Sequence, residues 1–127
     1  MATQIINSAS APAPIGPYSQ AVQAGNTLYV SGQIPVDQAT GQLVQGDIQA
    51  ETHQVMKNLQ YILQEAGMDF TNVVKCTIFV KDLNNFGAIN ETYGSYFSKN
   101  APARETVEVS RLPKDVNVEI SCIAVKF

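Results

Sequence analysis

The sequence is poor in the residues that most often do chemistry: one histidine and two cysteines occur in 127 residues. His53 has no second histidine or cysteine near it in sequence, which argues against a metal site, and it would have to serve any serine or cysteine triad alone. It is expected to be a solvated or partly packed helix residue. Cys76 and Cys122 lie far apart, outside CxxC spacing and inside strand-like apolar runs, so they read as buried reduced thiols rather than a disulfide. No serine sits in a nucleophile elbow, and Gly16, Gly25, Gly32, Gly41 and Gly46 form no phosphate-binding fingerprint. Nowhere do about 18 apolar residues run together, and the first twenty positions have neither a basic start nor an apolar stretch; no membrane span and no signal peptide are expected, and a cytoplasmic location is. Basic residues are also few. Eight Lys and Arg stand against eleven Asp and Glu, giving a net charge of −3, and they are scattered, so nucleic acid has no electrostatic footprint here.

Apolar residues make up 45% of the chain, enough to fill one core, and one domain over residues 1–127 with no linker and no internal repeat is expected. The Pro-rich segment from Ala9 to Tyr18 reads as an extended loop. Strands are expected over Tyr18 to Ala24 and Thr27 to Ser31, joined by a turn at Gly25-Asn26. A turn-rich segment follows from Val36 to Gly41. From Asp47 to Ala66 the apolar residues Ile48, Val55, Met56, Leu59, Ile62, Leu63 and Ala66 recur at helical spacing, with Gly67 placed to end the helix. Val73 to Val80 is a β-branched strand, Asp82 can cap a second helix reaching about Phe97, and Ala103 to Val109 and Val116 to Lys126 supply two further strands. Helices and strands alternating around one sheet, with both helices on one face, make an α+β two-layer arrangement.

The last strand is apolar on both faces near its end: Val116, Val118, Ile120, Cys122 and Ala124 share one side, and Ile123, Val125 and Phe127 share the other. Helices can cover only one face of such a sheet, so the opposite face is expected to pack against other copies of the chain. That face begins with Asn117, Glu119 and Ser121, which puts a carboxylate at the border of the expected interface.

What remains for chemistry is Pro102-Ala-Arg104-Glu-Thr106-Val-Glu108 together with Glu119. Period-two alternation places Arg104, Thr106 and Glu108 on one strand face. A guanidinium held by a strand suits bidentate capture of a small carboxylate, and a nearby glutamate can activate water. On these residues alone an Arg–Glu pair bridging two strands carries more weight than an anion site.

A set of motifs in order along the chain adds to this reading. Ile15-Gly-Pro-Tyr18, Ser31-Gly-Gln-Ile-Pro35, Val80-Lys-Asp-Leu83, Pro102-Ala-Arg104, Val107-Glu-Val109, Arg111-Leu-Pro-Lys-Asp-Val116 and Val118-Glu119-Ile120 resemble the RidA (YjgF/YER057c/UK114) family of reactive-intermediate deaminases over essentially the whole chain. The resemblance implies a chorismate-mutase-like α+β fold, a mixed sheet with two helices packed on one face, assembled as a homotrimer with clefts between subunits. It also implies cofactor-free hydrolysis of 2-iminopropanoate and 2-iminobutanoate to 2-keto acids and ammonia. Carried over by residue, it makes Arg104 the carboxylate-binding group and Glu119 the residue that directs water, with Tyr18, Ser31, Gly32, Asn90 and Thr106 lining the cleft. Packing of Tyr18 on the core, and turn and helix-surface roles for Ser31 and Asn90, stay open beside this. Glu105 departs from the small residue common after the arginine, but alternation points it away from the Arg104 face. Thr106 stands where some relatives have cysteine, which could alter substrate size preference. Two other readings compete: a non-catalytic regulatory trimer that binds small carboxylates, and a ribonuclease or translation inhibitor, which the acidic charge balance disfavours.

Overall fold

The computed structural model describes residues 3–127; of the span expected to form one domain, Met1 and Ala2 lie outside the described residues. The strands are β1 (Gln4–Ile6), β2 (Ala21–Ala24), β3 (Thr27–Gln33), β4 (Val36–Asp37), β5 (Gln42–Leu43), β6 (Val73–Val80), β7 (Ala103–Glu108) and β8 (Val118–Val125), and the helices are α1 (Ile48–Glu65) and α2 (Phe86–Gly94). Six strands form one mixed sheet in the order β1-β2-β3-β8-β6-β7, and β4 pairs with β5 in a separate ribbon. Among the described residues only β6 and β7 run parallel, because α2 carries the chain over one sheet face between them, whereas β2 and β3 are joined by the two-residue turn at Gly25-Asn26.

Helix α1 forms because its apolar residues recur along one stripe: Val55, Met56, Leu59, Ile62 and Leu63 are all 0% exposed. Each such burial stabilises the fold by roughly 1.5–3 kcal/mol. Asp47 caps the start, its Oδ1 accepting from the Gln49 amide at 3.0 Å. Gly67, at φ +73°, ends the helix, and the Met68 amide turns back to the Leu63 carbonyl at 2.8 Å. The stripe packs on the inner face of the sheet, where Leu28, Val30, Ile78, Val80, Val118, Ile120 and Ala124 are buried. Fully buried Asn58 on α1 donates to the carbonyls of Ile34 and Val36 at 3.1 and 2.9 Å, which ties the β4 segment to the helix.

Several boundaries differ from the sequence reading. Tyr18 lies outside β2, since Pro17 has no amide for a ladder and the Tyr18 amide donates instead to Gly16 at 2.8 Å. The segment containing it is anchored by buried Gln20, which accepts from the Ser8 amide at 2.7 Å and donates to the carbonyls of Ser8 and Pro12 at 3.1 and 3.0 Å. Strand β3 extends past Ser31 to Gln33, with a register shift between Val30 and Gln33. Asp82 caps a short 3-10 turn, Leu83–Asn85, rather than α2 itself. Helix α2 stops at Gly94, and Phe97 packs beyond its end against Tyr93, ring centroids 4.9 Å apart. The turn-rich segment holds the β4–β5 ribbon, and β1, with only three residues, is too short to announce itself by periodicity. The last strand begins at Val118, because Pro113–Asp115 forms a 3-10 turn in which Lys114 and Asp115 adopt φ of 56° and 57°.

Candidate functional site

Register decides which side each candidate residue occupies. Cys76 and Ile78 of β6 pair with Cys122 and Ile120 of β8, and with Arg104 and Thr106 of β7. Arg104 and Thr106 therefore project from the helix-covered face, in line with buried residues. Phe79 pairs with Glu119 on one side and Val107 on the other, so Glu119 projects from the opposite face. Strand β6 lies between β7 and β8; two strand spacings of about 4.8 Å separate the two residues laterally, in addition to the thickness of the sheet. Within one chain Arg104 and Glu119 do not converge. The candidate residues divide instead into two half-sites.

The first half-site is built on edge strand β7 and on α2. The Arg104 guanidinium donates to Asn90 Oδ1 at 2.6 Å and lies over the rings of Phe86 and Tyr93, 5.1 and 5.3 Å from their centroids. Phe86, Asn90 and Tyr93 share one stripe of α2, at spacings of four and three residues. The ion pairs among the described residues are Lys75–Glu105 at 3.4 Å and Lys81–Asp115 at 2.6 Å; neither involves Arg104. Its remaining N–H donors stay available to a ligand. The first pair also puts Glu105 on the face away from Arg104, as alternation requires. Beside Arg104 the Thr106 hydroxyl is buried without a hydrogen-bond partner. The Tyr93 hydroxyl, likewise unpartnered, faces the Cys76 thiol, and burial pushes both groups up.

The second half-site is built on β3, β8 and the loop before β2. The half-buried Glu119 side chain lies against Gly32: a Cβ added at residue 32 would come within 2.8 Å of Glu119 Cδ. Only glycine leaves room for this approach. Burial pushes the Glu119 carboxyl above its ordinary range, and among the described residues no donor is bonded to it. Gly32 and Tyr18 border a cavity of 240 Å3 whose wall also includes Ile15, Gln33, Ile34 and Lys114. Tyr18 is 52% exposed rather than packed in the core. The Ser31 hydroxyl donates to the Ser19 carbonyl at 2.6 Å, which holds the loop bearing Tyr18 against β3.

Neither cysteine belongs to either half-site as an exposed nucleophile. Both are buried and unpaired, and desolvation raises both thiols, Cys122 far above its ordinary range. His53 is exposed on α1, its Nδ1 2.9 Å from the Tyr96 hydroxyl. Among the described residues no group of three or more His, Cys, Asp or Glu gathers as a metal site. The sequence reading missed the ligation of Arg104 by α2. In the sequence Phe86 and Tyr93 form an apolar stripe, which reads as core because nothing local indicates that a cation from a strand more than ten residues away will lie over it.

Part of the outer sheet face is an exposed apolar patch. Ile5, Val22, Tyr29 and Ile123 align across β1, β2, β3 and β8, with Ile5 60% and Tyr29 51% exposed. Val107, beside Glu119 across β6, is 45% exposed.

Similar proteins share the whole chain. A RutC family protein of Pyrococcus abyssi is 52% identical, covering 99% of both chains. The 2-iminobutanoate/2-iminopropanoate deaminase of Rattus norvegicus is 51% identical over 97% of this chain and 90% of its own. The solved structure of E. coli TdcF with bound serine superposes with a TM-score of 0.94 at 41% identity, covering 98% of this chain and 99% of that one. The model of the family described as Endoribonuclease L-PSP matches residues 8–126, and the chain belongs to that family, the YjgF/RidA family.

Proposed function

We propose that this protein is a hydrolytic deaminase that converts short 2-imino acids, 2-iminopropanoate and 2-iminobutanoate formed from enamines such as 2-aminoacrylate, to 2-keto acids and ammonia. The observation that carries this reading is Arg104: a strand-borne guanidinium, free of any carboxylate partner, held beside the unpartnered hydroxyl of Thr106. Such a group binds a small carboxylate through paired N–H donors. The deaminase named among the relatives, and the serine bound to TdcF, agree with a small carboxylate-bearing substrate.

The reaction needs a cofactor for none of its steps. A protonated imine is electrophilic at C2. Glu119, as carboxylate, takes a proton from water as the oxygen bonds to C2, which gives a tetrahedral aminoalcohol. Return of that proton to nitrogen lets the C–N bond break: ammonia leaves as the hydroxyl gives its proton to the Glu119 carboxylate and the C2 carbonyl forms, and that proton goes on to ammonia as ammonium, balancing the charge the imine brought. The balance is protonated imino acid plus water to keto acid plus ammonium. Gly32 lets the Glu119 carboxylate lie close to the backbone, Tyr18 and Ser31 wall the same side, and Asn90 acts through Arg104.

Because Arg104 and Glu119 lie on opposite faces of one sheet, a single small substrate reaches both only if two copies of the chain contribute. The exposed Ile5 and Tyr29 in the row of Ile123, and the exposed Val107 in the row of Glu119, support association through the outer face. The edge position of β7 supports a cleft in which Arg104 meets a neighbour's Glu119. We take the assembly to be a homotrimer with three such clefts, acting in the cytoplasm. A regulatory trimer that binds carboxylates without turnover would use the same clefts. Nuclease action, which the family description names, finds little support in a net charge of −3, and tight, salt-dependent RNA binding would overturn that judgement.

The test generates 2-aminoacrylate with a serine or threonine dehydratase and follows pyruvate release with wild type, Arg104→Ala and Glu119→Ala, each confirmed as a folded assembly. Acceleration by wild type that both variants lose supports the deaminase. A wild-type rate equal to the enzyme-free rate across short imines leaves the clefts as binding sites.

A further inference from the structure

We propose that the α2 stripe of Phe86, Asn90 and Tyr93 is a neutral clamp that positions Arg104 without neutralising it, so that the guanidinium is both fixed and fully charged when a carboxylate arrives. The proposal rests on the reading of Arg104 as the carboxylate-binding group and adds Phe86 and Tyr93 as positioning residues that need not touch the substrate.

An arginine on an exposed edge strand is a long side chain with several rotatable bonds, and a mobile guanidinium binds carboxylate poorly because binding must first order it. The usual way to hold one is an ion pair, but an aspartate or glutamate partner would occupy the same N–H donors and cancel the charge that attracts the substrate. Here Arg104 has no carboxylate partner. Two aromatic faces hold its plane, 5.1 and 5.3 Å from the ring centroids, and a neutral amide oxygen accepts one N–H at 2.6 Å. Aromatic quadrupoles and an amide dipole attract the cation and leave its net charge intact. The platform is itself rigid. Tyr93 is 4% exposed and packs on Phe97, and its hydroxyl faces Cys76, the register partner of Arg104 across β6 and β7.

The clamp makes an unusual demand at Asn90. Asn90→Asp is nearly isosteric and would hold Arg104 more strongly, so a merely structural role predicts a neutral or stabilising change; a neutral clamp predicts that carboxylate binding suffers. In the full-length protein in its native assembly, KM for 2-iminopropanoate is expected to rise about tenfold in Asn90→Asp, and about two- to fivefold in Phe86→Leu, with kcat largely kept. Tyr93→Leu removes a buried ring and can unfold the protein, so Phe86→Leu and Asn90→Asp carry the test. In an Arg104→Ala background neither change should alter the residual affinity for pyruvate, since both act through Arg104.

A readout independent of turnover is the Nε–Hε signal of Arg104 in 15N-labelled protein, assigned by its loss in Arg104→Ala and titrated with pyruvate. The two ring faces should shift it in wild type and less in Phe86→Leu, which keeps only the Tyr93 ring, and pyruvate should bind more weakly to both variants. If KM, the Nε–Hε shift and pyruvate affinity all stay at wild-type values in Phe86→Leu and Asn90→Asp, the clamp is refuted. If the variants weaken pyruvate binding and move the signal while wild type hydrolyses no imine, the clamp stands and the deaminase reading falls.

Discussion

Gly32→Ala probes the second half-site at its tightest point. The added Cβ would lie 2.8 Å from Glu119 Cδ, against an ordinary carbon–carbon contact of about 3.5–4.0 Å, so the carboxyl must move by more than half an ångström. The obstacle is the far end of a flexible side chain. Rotation of Glu119 relieves the overlap, and replacing a strand glycine recovers part of the cost through reduced backbone entropy in the unfolded chain. Stability should therefore change by no more than about 1 kcal/mol, and Tm by about 3–5 °C. Activity should respond far more, because displacement of a catalytic group by about 1 Å can cost on the order of 100-fold in rate. Steady-state hydrolysis of 2-iminopropanoate is expected to show kcat down about 10- to 100-fold, with KM changed little because Arg104 lies on another half-site. On a Glu119→Gln background the same substitution should add almost nothing. A folded Gly32→Ala assembly with wild-type kcat refutes the reasoning: Glu119 would then not depend on its seat over Gly32.

Burial raises the Glu119 carboxyl above its ordinary range, so the acid limb of the kcat/KM profile should lie above that of a solvated glutamate, with activity growing as pH rises through it; Glu119→Gln should remove what remains of that limb along with most of the rate. The same shift has a signed effect on stability. Between the unfolded and the raised folded pKa the native state binds more protons than the unfolded chain, so stability falls as pH rises through that window, and urea titrations of Glu119→Gln should show a flatter slope there. Tyr29→Asp places a charge in the centre of the exposed apolar row on the outer face; sedimentation should show loss of the assembly with the monomer fold retained, and an unchanged sedimentation coefficient would count against association through this face. Because both cysteines are buried with raised thiols, neither should react with an alkylating reagent at pH 8 within minutes, and both should react after denaturation.

Much of the fold is legible in short-range pattern. The stripe from Val55 to Leu63 specifies α1, Asp47 and Gly67 bound it, and the alternation of Val118, Ile120, Cys122 and Ala124 tells which side of β8 is covered. These are local consequences of 3.6- and 2-residue periods, and they survive packing because packing uses them. The boundaries that shifted are those set by competition for backbone donors: Pro17 and the Gly16–Tyr18 turn exclude Tyr18 from β2, and the 3-10 turn after Asp82 takes the cap expected for α2.

The candidate residues themselves stand in recognisable motifs, and alternation correctly separates Arg104 and Thr106 from Glu105. Alternation cannot compare faces between strands distant in sequence. That Arg104 and Glu119 point to opposite sides follows from the pairing of Cys76 with both Arg104 and Cys122, a pairing made by three strands from different parts of the chain. The close approach of Glu119 to Gly32 likewise depends on the irregular pairing of β3 with β8, and the stacking of Arg104 on Phe86 and Tyr93 depends on how α2 crosses the sheet. Residue types and periodicity are properties of a few neighbouring positions. Which groups meet, and which are left facing outward, comes from contacts between positions tens of residues apart, where no local preference operates and only the packed sheet and its helices choose.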